Sequence, residues 1–199
     1  MKKIKMGMVG VLVSGLLTAC GPNEVKPIEE MKEKSAAVEN ETIEFSPQAK
    51  EWIAEMLAEF NRPPEESFDE LGNEDVGFVY DTKADNLYRS MYKYIHAENE
   101  SYDEDFANLR LLAAGIRHDQ LNRIAHIEDP GKEMTNLEHL KDWKSVPEST
   151  EKAFEYMKQL LNDIDVAINK DGKGTTFGVS HLMDGDNVNK LESFISHGE

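Results

Sequence analysis

Cys20 is the only cysteine in the 199 residues, so its sulfur has neither an intramolecular disulfide partner nor a Cys-rich zinc cluster to join. The other residues that could do chemistry are scattered, and their spacing decides against the familiar templates. Asn169-Lys170-Asp171-Gly172-Lys173-Gly174 and Asp184-Gly185-Asp186-Asn187 carry the Asp, Asn and Gly of a calcium loop. The first puts Lys173 at the fifth position, where an oxygen ligand belongs, and Ser180 where a bidentate Glu is required; the second puts Val188 and Ile195 there. Both read as turns. None of the six histidines has a Glu three residues before it, as helical di-iron sites need. His96 with Glu100 and His126 with Asp129 are helix-spaced pairs that chance supplies often. Gly178-Val179-Ser180-His181 lacks the closing Gly of a nucleophile elbow. With no phosphate loop, dinucleotide fingerprint or zinc-protease motif, the sequence implies no catalytic residue, no cofactor and no metal.

The neighbours of Cys20 give it a different use. Lys2, Lys3 and Lys5 form a positive n-region, and Met6 to Leu17 is an apolar run of about a dozen residues. That length suits a signal peptide and is too short for a spanning helix, which needs roughly 20 apolar residues. Leu17-Thr18-Ala19-Cys20, followed by Gly21, resembles the lipobox of bacterial lipoprotein precursors. The resemblance covers only the first twenty residues. It implies cleavage after Ala19, a diacylglycerol on the Cys20 sulfur and an extracytoplasmic protein held at a membrane surface. Two or more acyl chains suffice for a long-lived anchor. The residue after Cys20 is Gly21 rather than Asp, so the inner-membrane retention signal of double-membraned bacteria is absent. An ordinary secretory signal cut after an A-x-A-like site is the alternative.

Composition narrows what such a protein would meet. The chain carries 22 Lys+Arg against 39 Asp+Glu, and loss of residues 1–19 removes three lysines and no acid, giving a net charge near −20. Such a field repels nucleic acid and anionic headgroups unless a basic patch overcomes it; the sequence shows no such patch, so no nucleic-acid partner is expected. Hydrophobic residues make up 39% of the chain, above the disordered class, so most of it folds. From Pro22 to about Phe45 apolar residues are few and follow no sustained period. Residues 20–45 read as a hydrated, flexible tether, with one short helical piece near Met31 to Val38 that would also serve as an amphipathic partner-binding helix.

Residues 46–199 then carry helical periodicity almost throughout. Ser46-Pro47 has the form of an N-cap and first helical residue, and Ala49, Trp52, Ile53, Met56, Leu57 and Phe60 make one stripe. Val76, Phe78 and Tyr80 alternate, which predicts a short strand, and its available partner is Thr175 to Val179. Asp85 would cap a second helix bearing Leu87, Tyr88, Met91 and Ile95. The acidic run Glu98 to Asp105 leads into a third helix, about Glu104 to Ile127, on which His118 and His126 fall on the polar side. Further helices are predicted near Thr135 to Trp143, after Ser145-Val146-Pro147-Glu148, and over Val188 to Ile195. The expectation is an all-α bundle of five or six amphipathic helices, with a minor two-stranded ribbon possible.

Taken together, these readings predict a non-enzymatic, lipid-anchored helical module that presents an acidic surface to an envelope or surface protein outside the membrane. Envelope assembly, export or conjugation, and exclusion or immunity are the settings such lipoproteins serve. The second reading is a small-ligand or cation-binding lipoprotein, its pocket between helices lined by Tyr88, Tyr92, Phe154 or Trp143. Two α/β lobes of a classical solute-binding protein do not fit in 180 mostly helical residues.

Overall fold

A computed structural model of the chain describes residues 46–94, 100–127 and 137–198. Residues 1–45, expected to hold a signal sequence, Cys20 and a tether, lie outside the described residues, as do His96 and Asp129. Six α-helices follow in order: α1 (Pro47–Asn61), α2 (Phe68–Leu71), α3 (Val76–Tyr94), α4 (Glu100–Ile124), α5 (Glu148–Asn169) and α6 (Val188–His197). Short 3-10 turns at Pro64–Ser67, Leu137–Asp142 and His181–Met183 join them. The protein is an all-α bundle, and no strand occurs among the described residues.

The helix at 76–94 replaces the expected strand and begins well before Asp85. Its start is fixed by Asp75, whose Oδ1 accepts the Phe78 N–H at 2.7 Å, while Asn73 Oδ1 accepts from Asp75 N at 2.8 Å. That is side-chain capping of donors a helix start leaves open. The apolar alternation arose because this first turn meets neighbours on several sides: Val79 is buried, Phe78 tilts against Trp143, and Tyr80 stacks on Phe154 with ring centroids 4.2 Å apart. Its proposed partner, Thr175 to Val179, has no regular structure. The Thr135 to Trp143 helix is a single 3-10 segment, Leu137–Asp142.

Elsewhere local chemistry and periodicity agree with the geometry. Ser46 Oγ accepts from Ala49 N at 3.1 Å, with Pro47 in the first turn. α3 packs on α4, α4 on α5, and α5 on α1. The core between them includes Ile53, Leu87, Leu109, Ile116, Met157, Leu160, Leu161 and Ile164, all fully buried. Phe60 and Tyr80 stack on Phe154 there.

Polar side chains inside this core tie elements together. Lys83 is 3% exposed and donates to the carbonyls of Glu59 and Arg62, both at 2.8 Å, which satisfies the C-terminus of α1. Burial lowers its pKa, against the pull of Glu59. Arg123 bonds both oxygens of Asp75, at 2.7 and 2.6 Å, and the Lys144 carbonyl at 2.8 Å, under the ring of Trp143. The end of α4 is thereby locked to the start of α3 and to the entry into α5.

The chain between α5 and α6 is fastened by two buried carboxylates. Asp163 accepts from the backbone of Phe177 and Val179 at 2.8 and 2.9 Å. Asp105 accepts from Ser180 Oγ at 2.5 Å and from His181 N at 2.8 Å. Burial pushes the Asp105 carboxyl above the ordinary carboxylate range, against these bonds. Gly178 sits at φ +73°, and a Cβ on Gly185 would fall 2.2 Å from the Gly178 oxygen, so the segment closes on itself at glycines.

Candidate functional site

The four aromatics expected to share a pocket do not converge. Phe154 is in the core between Phe60 and Tyr80. Trp143 is buried beside Arg123 and Phe78. Tyr88 and Tyr92 stay together on the surface of α3, edge to face with centroids 5.7 Å apart. The histidines remain apart too, His118 bonding Asn122 and His126 the Asp142 carbonyl.

Tyr88 lines a recess that opens a more informative face. Between α3 and α4 a recess of about 210 Å³ has Ala84, Ala113 and Ala114 as its floor and Asp85, Tyr88 and Arg117 as its rim. Three alanines at the crossing let the two backbones approach while leaving the groove unfilled. On the other side of α4 a second recess, about 170 Å³, lies among Leu111, Gly115, His118, Ser149, Phe194 and Ile195. Between the two runs the outer ridge of α4, with Leu111 at 53% and Leu121 at 43% exposure and Ala114, Gly115, His118 and Ala125 also exposed.

Acidic side chains are scarce along this ridge, in a protein that is strongly acidic overall. Residues 107–126 contain Arg110, Arg117, Arg123, His118 and His126 but a single acid, Asp119. Asp119 is already engaged, accepting from Ser149 Oγ at 2.7 Å and Thr150 Oγ1 at 2.9 Å. Asp85 on the recess rim pairs with Arg89 at 2.6 Å. A chain with 39 acidic residues thus has along α4 an acid-poor strip that is apolar on its crest; of its three arginines Arg123 is buried against Asp75 and Arg117 is paired with Asp81, which leaves Arg110 and His118 at the margins.

Arg117 is held at the groove by Asp81, Nη1 to Oδ2 at 2.6 Å. The carboxylate is 2% exposed and its Oδ1 has no partner, so burial pushes its pKa up to about 6, outweighing the nearby guanidinium. The folded pKa lies above the unfolded one, so Asp81 protonation stabilises the fold at low pH, and that contribution disappears as pH rises through about 6. The window predicts that wild-type protein gains on the order of 2–3 kcal/mol from this group between about pH 6 and about pH 4. Asp81→Asn should lack that gain, so urea unfolding of both proteins across this range should give diverging pH slopes. Parallel slopes would contradict the assignment.

Other clusters have structural employment. Ser180, His181 and Asp105 are residue types of a hydrolytic triad, yet the imidazole faces Glu104 at 3.0 Å and Glu192 at 2.8 Å while Ser180 Oγ is on Asp105. The imidazole is therefore not on the hydroxyl, and the Ser–His–Asp order of a triad is not formed. Asp105, the last residue of the acidic run that leads into α4, is a buried cap for the 3-10 turn at His181. Among the described residues no three His, Cys, Asp or Glu side chains are grouped to hold a metal. No helix among them is long and apolar enough to cross a membrane.

Periodicity alone passed over Asp81 and Arg117. With α3 started at Val76, Asp81 falls in register with Ala84 and Tyr88, and an acid on that stripe marks a polar group entering an apolar interface. No protein-family model matches this chain, no curated protein shows significant similarity to it, and no solved structure matches it.

Proposed function

We propose that the protein is a lipid-anchored, extracytoplasmic helical module that docks an acidic, apolar-edged segment of an envelope protein on the outer face of α4. The anchor rests on the resemblance of Leu17 to Cys20 to a lipobox. The docking face rests on one observation, the acid-depleted ridge between two recesses on an otherwise strongly acidic chain. Exposed apolar side chains bordered by recesses bind by burial, and margin charges select among partners. Tyr88 and Tyr92 add aromatic area at the border of the ridge, where such residues carry much of an interface's energy.

Affinity capture from detergent-solubilised envelopes tests this reading. Wild-type chain should recover a specific envelope protein, and the double variant Leu111→Glu with Leu121→Glu should recover at least about tenfold less, the scale of losing two exposed anchors. Both substitutions are on exposed positions, so an unchanged melting temperature accompanies the loss. Recovery of no specific envelope protein, or equal recovery by the variant, would overturn the reading.

A further inference from the structure

A further recess lies elsewhere, about 330 Å³ between the N-terminal half of α5, the Phe177–Val179 segment and the start of α6. We infer that it is a binding site for a small organic anion, specifically a carboxylate carried on a flat apolar body. This inference is independent of the docking face on α4.

Its walls are built before any ligand arrives. Asp163 holds the N–H groups of Phe177 and Val179, Asn187 Nδ2 donates to the Phe177 carbonyl at 2.8 Å, and Asn187 N donates to the Gly178 carbonyl at 2.7 Å. The Phe177 backbone is therefore fixed on both sides while its ring stays 47% exposed. An aromatic ring held outward by buried bonds costs apolar exposure that packing inward would have avoided. Tyr156, tilted against Phe194 at 5.2 Å, faces the same recess.

Two lysines border the same recess. Lys190 Nζ is 2.7 Å from Asn187 Oδ1, and Lys152 Nζ lies 5.0 Å from the centre of the Phe194 ring. Among the described residues neither pairs with a carboxylate. Glu155, the one acid in the lining, is occupied by Lys158 at 3.1 Å. Two lysines left without acids in so acidic a chain make the recess locally receptive to an anion.

The donor set decides which anion. Phosphate recognition uses several converging N–H groups or a guanidinium fork. Here the backbone donors of Phe177 and Val179 are consumed by Asp163, which leaves two lysine point charges and the Gln159 amide. That inventory suits one carboxylate, and the rings suit a flat body behind it. A free aromatic acid and the C-terminal aromatic residue of a peptide share this chemistry.

Amide shifts of the full ¹⁵N-labelled chain in nonionic detergent test the inference, with 3-phenylpropionate, its neutral amide, acetyl-Gly-Gly-Phe and inorganic phosphate as probes. The carboxylates should give saturable shifts at Phe177, Gly178 and Lys190, and their relative affinities distinguish free acid from peptide terminus. Lys152→Gln and Lys190→Gln should each weaken binding by about fivefold or more, as loss of a charge-assisted contact does, whereas Lys190→Arg retains it. Equal binding of the neutral amide, tighter binding of phosphate, unchanged affinity in both glutamine variants, or no saturable shift with any carboxylate would overturn it.

Discussion

Replacing Asp163 by alanine should destabilise the protein by about 3–5 kcal/mol, the sum expected when two inward backbone donors lose one buried acceptor. Asp163 is fully buried on α5, and its two oxygens separately accept from Phe177 and Val179. Alanine leaves both amides facing a cavity, and Val179, 1% exposed, cannot turn to water. Asp163→Asn keeps one acceptor oxygen and should lose roughly half as much. Denaturant unfolding with an unchanged slope would report these losses. A change below about 1 kcal/mol for the alanine variant would show that the segment is held by something other than this carboxylate.

Cys20→Ser should move the protein from the membrane fraction to the soluble fraction, or leave an uncleaved precursor, with loss of detergent-phase partitioning. The effect is close to all-or-none because lipid chains contribute about 0.8 kcal/mol per buried CH₂, and a serine hydroxyl accepts no thioether-linked diacylglycerol. Among the described residues no helix is long and apolar enough to span a bilayer. Unchanged partitioning of the serine variant would remove the lipoprotein reading altogether.

Helical periodicity carried most of the architecture, and the exceptions have identifiable causes. The long stripes of α1, α4 and α5 each bury one continuous face, so a 3.6-residue period was visible in them. α3 was read as a strand at Val76 to Tyr80 because its first turn is contacted from several directions, which breaks a single-stripe pattern. The capping role of Asp75 depends on Asn73 and Arg123, the latter 48 residues away, and such a partnership has no local signature. Nor could the Phe177 recess be read from the chain, because it depends on Asp163 and Asn187 reaching the same short segment. The acid-poor span 107–126 was visible as composition, but only the packing of α3 and α5 against α4 shows that its Leu111 and Leu121 point outward.

The docking proposal is tested most directly by a photoreactive phenylalanine analogue introduced in place of Ala114 in the full chain in intact cells, with the same probe at Lys173, on the far loop, as control. A probe at 114 should give one discrete adduct with an envelope protein, absent from the probe at 173 and lost when Cys20→Ser removes the chain from the membrane. No discrete adduct at 114, or the same adduct from 173, would contradict the account of α4 as the face through which this anchored bundle acts.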